Sequence, residues 1–350
     1  MIIGACGFGA TGSSVLSDLL SEYSDVQVFD SFEFVLPYIA DGLEDLEYHL
    51  MKQYAKSESC DVAIRRFLRR CRWYFTPLIN KPCNGELFYR YSKEFIDEIT
   101  QFQFPGLYTT DTCTGYLGRD ILAFASKKVL MPKIIEKITH KPSYVWPCHN
   151  VRFAVEPENF YDAARRYIRK IIKAMGADLD HPVCLDQPFA GNSPENSFPF
   201  FDDPYAIIID RDPRDLFLSG KYSKDPNFKF MPRFDVKQFV IYYRNIRKHQ
   251  TSNERVLRLN FEDMIYRYDE SVKKIEEFLD LHGHVRKKEI FDPARSINNT
   301  QLIRLHPEDA KNIDYIEKEL PEYLYHFEEF GDISFEGKPF DGSARKSFEQ

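Results

Sequence analysis

Met1-Ile2-Ile3-Gly4-Ala5-Cys6-Gly7-Phe8-Gly9-Ala10-Thr11-Gly12-Ser13-Ser14-Val15-Leu16-Ser17-Asp18-Leu19-Leu20 carries a short apolar run into a loop with glycines at 7, 9 and 12. Two hydroxyls follow, and then apolar residues at 15, 16, 19 and 20. The run predicts a strand, the glycines a turn, and the three-and-four spacing a helix. Glycines let the main chain turn sharply and lie close to a ligand, while free N–H groups where a loop becomes a helix attract an anion. The stretch therefore predicts a phosphate-binding loop over Gly9, Ala10, Thr11, Gly12, Ser13 and Ser14. A glycine turn that binds nothing is the plain alternative.

Two kinds of phosphate ligand fit these residues. Gly7-Phe8-Gly9-Ala10-Thr11-Gly12 spells the G-x-G-x-x-G dinucleotide fingerprint, and Asp30 closes a second short apolar run eighteen residues after Gly12. On that reading the chain is a nicotinamide-dependent Rossmann oxidoreductase. Tyr89-Arg90-Tyr91-Ser92-Lys93 even supplies a Tyr-x-x-x-Lys, though without the strands that should precede it. Read from Thr11, the same loop packs hydroxyls where a phosphosulfate would sit. The Walker A pattern is incomplete because no Lys precedes the hydroxyls, which weakens a kinase reading.

With 350 residues, 43% of them hydrophobic, the chain is long enough for a sizeable core. A net charge of −7 argues against a general nucleic-acid binder. Two basic runs stand out: Arg65, Arg66, Arg69, Arg70 and Arg72, and then Arg165, Arg166, Arg169, Lys170 and Lys173. Such runs are either solvated helix faces or walls of an anion groove. Seven cysteines, without a C-x-x-C pair, read as reduced thiols, and no metal-ligand spacing is present. The N-terminal apolar run is too short to span a bilayer and lacks a basic leader, so a cytoplasmic protein without stable membrane insertion is expected.

Further along, Val26 to Phe29 predicts a strand that ends at Asp30 and Glu33. Residues from about 42 to 144 read as a helical insertion without convincing alternation, and Tyr144-Val145-Trp146 as the return to the core. Asn159 to Met175 is strongly periodic and predicts a helix packed on the sheet. Val183 to Leu185 predicts a buried strand ending at Asp186. Tyr205-Ala206-Ile207-Ile208-Ile209 is a continuous apolar run of the kind buried in parallel sheets. It ends at Asp210-Arg211-Asp212-Pro213, with a helix starting at the proline. Helices from Phe239 to Lys248 and Ser271 to Leu281, a strand from Arg255 to Leu259, and a frayed tail over the last ten residues complete the chain. Together these predict an α/β protein, a mainly parallel sheet flanked by helices, with the insertion carried by one domain of residues 1–340.

Arg211 at a strand end, with Pro213, Asp215 and then Ser219 eight residues after the Arg, resembles the 3'-phosphate motif of sulfotransferases that use 3'-phosphoadenosine-5'-phosphosulfate (PAPS). Thr11-Gly12-Ser13-Ser14 is similar to that family's 5'-phosphosulfate loop, Arg255 to Asp263 to its later strand and Tyr-Glu-Asp element, and Asp292 to Arg304 to its C-terminal basic loop. The likeness is greatest to carbohydrate sulfotransferases of bacterial type. It implies a P-loop NTPase-like sulfotransferase fold, PAPS as donor with PAP as product, no metal, and Arg304 as a further nucleotide contact. Residues 40–180, where the family recognises its acceptor, are unmatched.

Two departures bear on mechanism. The family places Lys or Arg just before the Ser/Thr-Gly of the loop, where this chain has Ala10; either a cation comes from elsewhere, with Arg152, Arg165 and Arg214 the nearest candidates in sequence, or the chain is a non-catalytic PAPS-binding relative. The family's Lys-Thr-His segment corresponds to Cys184-Leu185-Asp186, which aligns Asp186 with the general base but supplies no Lys. Glu33 and His149 are the other base candidates, and a carbohydrate hydroxyl or amine is the expected acceptor. Asp186 capping a turn and Glu33 pairing with an arginine are the competing explanations.

Overall fold

In the computed structural model of the chain, residues 1–53, 57–76, 84–106, 121–122, 125–126, 130–141, 149–225, 228–285, 290–331, 333, 335 and 337–339 are described. Among them the strands are β1 (Ile2–Gly7), β2 (Gln27–Phe29), β3 (Phe102–Gly106), β4 (His149–Phe153), β5 (Val183–Asp186), β6 (Pro204–Asp210) and β7 (Val256–Asn260). Five of them form one sheet in the order β2-β5-β1-β6-β7, with every neighbouring pair parallel. The apolar runs explain this. Ile2 to Cys6 and Ala206 to Asp210 are buried throughout, as strands covered on both faces must be.

Because the strands are parallel, Gly7, Phe29, Asp186, Asp210 and Asn260 all leave the sheet at the same edge, where open α/β sheets carry their sites. Both common doubly wound orders keep strands one and two side by side. Here β5 separates β1 from β2, so Asp30 leaves from the outermost strand and is exposed. This removes the placement a ribose-binding Asp needs in the dinucleotide reading.

The described chain divides into two compact units, residues 1–35 with 176–350, and residues 36–175. In the first, the helices Ser14–Leu20 and Tyr268–Leu279 bring Leu16, Leu19, Ile275 and Leu279 into one buried cluster with Ile3, Ala5, Ile207 and Ile209 of the sheet. A second cluster joins Leu216 and Phe217 of the helix Pro213–Tyr222 to Phe239 and Ile316. Asp212 caps that helix by accepting from the Arg214 N–H, and Pro213 occupies its first turn, as the sequence predicts.

The second unit differs from expectation. Its limits are 36 and 175 rather than about 42 and 144. The helix Phe160–Ala174, expected on the sheet, belongs to it and packs on the helices Ser57–Tyr74 and Gly85–Ile99, with Tyr167 stacked on Phe95 at 5.1 Å and edge-on to Phe67. Amphipathic periodicity identifies the buried face of a helix but not its partner. The unit also contains an antiparallel pair, β3 with β4, in which Phe102 stacks on Phe153 at 4.5 Å. The sequence reading missed it because β3 is short, ends in Pro105-Gly106, and pairs with a strand far along the chain rather than across a turn. The Tyr144 to Trp146 return and the frayed tail lie outside the described residues. Among the described residues no helix is long and apolar enough to cross a membrane.

Candidate functional site

The loop after β1 is built around Thr11. Its hydroxyl donates to the Phe8 carbonyl at 2.9 Å and accepts from the Phe8 N–H at 3.1 Å, and the residue is buried. Thr11 therefore closes the loop internally. Gly12 has a φ of +90° and packs under the Phe261 ring so closely that a Cβ would lie 2.6 Å from it. Ala10 adopts a φ of +65°, a left-handed conformation that costs a residue with a Cβ about 1–2 kcal/mol.

A residue the sequence reading did not single out completes the loop. Gln187, just beyond β5 and itself at φ +52°, accepts from the Gly7 N–H at 3.2 Å and donates to the Ser13 hydroxyl at 2.9 Å. Nothing local in the sequence marks it, because its partners lie about 180 residues away. Thr11, Gln187 and the helix thus consume several loop groups, while the N–H groups of Gly9, Ala10, Gly12, Ser13 and Ser14 have no acceptor among the described residues.

Arg211 follows β6 directly. It donates from Nη1 to the Ala10 carbonyl at 2.9 Å and from Nη2 to the Asn299 carbonyl at 2.6 Å, and its guanidinium lies 5.2 Å from the centre of the Phe261 ring. Tyr243 donates to the Arg211 carbonyl at 2.8 Å. Although buried, the Arg211 Nε has no partner among the described residues. Burial pulls the guanidinium pKa down, opposed by Asp215, Glu262 and Asp212 in that order. Asp215 in turn accepts from the Gln301 and Leu302 N–H groups, both at 2.8 Å, which draws the C-terminal segment across the strand end. Burial first, and then the charge of Asp212, raises the Asp215 and Glu262 carboxyls well above their ordinary values.

These elements border a cavity of about 670 Å³. Ala10 and Ser14 line it from the loop and helix, and Arg211 and Ser219 from the segment after β6. Among the described residues its charged lining consists of Arg211, Arg295 and Lys338 with Asp18, Asp225 and Asp292. Burial, followed by the charge of Asp30, raises the Asp18 carboxyl to about 6.

The other predicted residues fall elsewhere. Arg304 is exposed, on the short turn Leu302–Arg304, and does not line the cavity; the basic residue of that segment which does is Arg295. Asp186 ends β5 opposite Ala5, where its carbonyl accepts from the Phe34 N–H at 2.6 Å, and Glu33 is exposed; neither lines the cavity. The His149 side chain lies outside the described residues. Among the candidates to replace the cation missing at Ala10, Arg214 is committed to Asp212 at 2.7 Å, Glu317 at 2.8 Å and the Tyr325 carbonyl at 2.7 Å. Arg152 and Arg165 belong to the second unit. The guanidinium that meets Ala10 is that of Arg211 itself.

Part of each basic run is neutralised locally. Arg65 pairs with Asp61, Arg66 with Asp41, Arg165 with Asp162, Arg166 with Glu98 and Lys170 with Glu94. No protein-family model and no curated protein sequence matches the chain.

Proposed function

We propose that the cavity beside Arg211 binds the 3',5'-bisphosphate nucleotide of PAPS, and that the chain transfers its sulfuryl group to a hydroxyl or amine, preferably of a carbohydrate. The observation that carries this reading is Arg211: a buried guanidinium at a strand end, held by main-chain carbonyls of Ala10 and Asn299, with Nε still unpartnered and Ser219 lining the same cavity. Arginine keeps its charge and forks onto phosphate, which suits it to this role. The volume of about 670 Å³ lies within the range of nucleotide-sized pockets.

Ser14, the free loop N–H groups and Arg211 would hold the donor's phosphates, with Phe228 and Phe261 supplying apolar surface. In the transfer, the acceptor oxygen or nitrogen bonds to sulfur, the bond from sulfur to the 5'-phosphate oxygen breaks, and the acceptor proton passes to a base. As in phosphoryl transfer, positioning and neutralisation of leaving-group charge do most of the catalysis. Asp186 remains the preferred base, with Glu33 and His149 behind it, since Asp186 adjoins Gln187 and hence the loop.

The test is a panel of saccharides and simple phenols incubated with labelled PAPS, alongside titrations with PAP, NADP and ATP. Label is expected on a saccharide, and PAP should bind in preference to the other two. Label on phenols alone would reverse the acceptor assignment, and preferential binding of NADP or ATP would remove the whole reading.

A further inference from the structure

Glu22 lies just beyond the helix Ser14–Leu20, whose first residues border the cavity, and it is almost completely buried. Burying a carboxylate is costly unless several donors meet it. Its Oε1 accepts from the Ile290 N–H at 2.8 Å and the Phe291 N–H at 2.9 Å, and its Oε2 faces the His284 Nε2 at 2.7 Å. Its carbonyl also accepts from the Val285 N–H at 3.0 Å. Next to it, Tyr23 forms an antiparallel bridge with His284, and their rings stack 4.8 Å apart and 10° from parallel. The Tyr23 hydroxyl donates to Glu276 at 3.0 Å.

The residues held in this way matter for the cavity. Ile290, Phe291 and Asp292 line it, and Phe291 and Asp292 also line a neighbouring hollow of about 530 Å³ that Glu22 and His284 border. Glu22 therefore stands behind the cavity wall and fastens it to the same helix that supplies Ser14, Val15 and Asp18. We infer that Glu22, braced by His284, is a positioning residue: it touches no ligand, but it holds the Ile290 to Asp292 wall in the conformation that accepts the nucleotide. This rests on the proposed nucleotide site.

Without the clamp, the binding-competent wall is only part of the population, and apparent affinity falls by that fraction. Glu22→Ala should weaken PAP by about tenfold or more, the scale of two buried N–H groups losing their acceptor. Glu22→Gln keeps an oxygen for both N–H groups and should stay within about threefold of wild type. Inorganic pyrophosphate, small enough to use only the Arg211 end, should bind Glu22→Ala as it binds wild type. Unchanged PAP affinity in Glu22→Ala, or an equal loss of PAP and pyrophosphate binding, would overturn the inference. If Glu22→Ala does not fold, His284→Phe keeps the stack on Tyr23 but removes the brace; PAP affinity equal to wild type in that variant would overturn it too. Amide exchange separates this idea from the nucleotide assignment. Ile290 and Phe291 should exchange faster in Glu22→Ala, or in His284→Phe, even if wild type binds no PAP, and unchanged exchange counts against the clamp.

Discussion

The unit of residues 36–175 and the unit that holds the cavity treat buried polar atoms differently. In the first, hydrogen bonds close on themselves: Ser92 donates to the Phe88 carbonyl and meets the Tyr167 hydroxyl, Glu47 takes both Tyr161 and Lys52, and Asp61 takes Arg65 and the Arg152 N–H. Among its described buried side chains, Arg152 Nε alone lacks a partner. In the unit that holds the cavity, Ser17, Asp25, Arg211, Arg247, Gln250 and Glu262 each leave an atom unpaired. Two of these, Arg211 and Glu262, belong to the carboxylate-ringed group at the end of β6. Native structures satisfy nearly all buried polar groups, so each unpaired atom calls for a partner, and at Arg211, which lines the cavity, the proposed nucleotide would be that partner.

The comparison breaks most directly at Arg211. Arg211→Ala should weaken PAP by about 2–4 kcal/mol, the scale for removing one partner of a desolvated charged pair, as read by calorimetric titration. The matching change in the other unit, Tyr167→Phe, removes a hydroxyl bonded to Ser92 at 2.7 Å. It should cost about 1–2 kcal/mol in denaturant unfolding and leave PAP affinity unchanged. A large affinity loss in Tyr167→Phe would erase the distinction between the units. Ala10→Gly relieves the left-handed strain at the loop, so it should raise stability by about 1 kcal/mol with PAP binding preserved.

The smallest effect sharpens the picture through pH. Asp18 lines the cavity, with its carboxyl raised to about 6, first by burial and then by Asp30. Ionisation adds negative charge beside the anion site, so PAP affinity should decline as pH rises through 6. The ligand's own phosphates titrate in the same range, but Asp18→Asn experiences the same ligand and should show a shallower decline. Since the folded-state value is raised, the ionised Asp18 destabilises the fold. The stability gained in Asp18→Asn should therefore appear above pH 6 and vanish below about pH 4, the ordinary value for Asp. Parallel pH profiles for the two proteins would exclude Asp18 from the site.

What was legible in the sequence was local. The β1-loop-helix stretch, the buried run of β6 leading to Arg211, and the helix start at Asp212-Pro213 each carry their signal within a dozen residues. What was not legible depends on chain segments meeting across long separations. Gln187 reaches back to Gly7 and Ser13, Arg295 rather than Arg304 reaches the cavity, and β3 finds β4 without an intervening turn. Thr11 shows a subtler limit. Its residue type fits a phosphate contact, and only the hydrogen bonds to Phe8 reveal that the hydroxyl is already committed.

The central claim is that Arg211 and Ser219 recognise a 3'-phosphate. Calorimetric titration of the wild-type chain with PAP and with adenosine 5'-phosphate tests it most directly, because the two ligands differ only in that group. The account predicts micromolar or tighter binding of PAP and at least about tenfold weaker binding of the monophosphate, the scale of one charge-assisted hydrogen-bonded contact. Equal affinity for the two would contradict it.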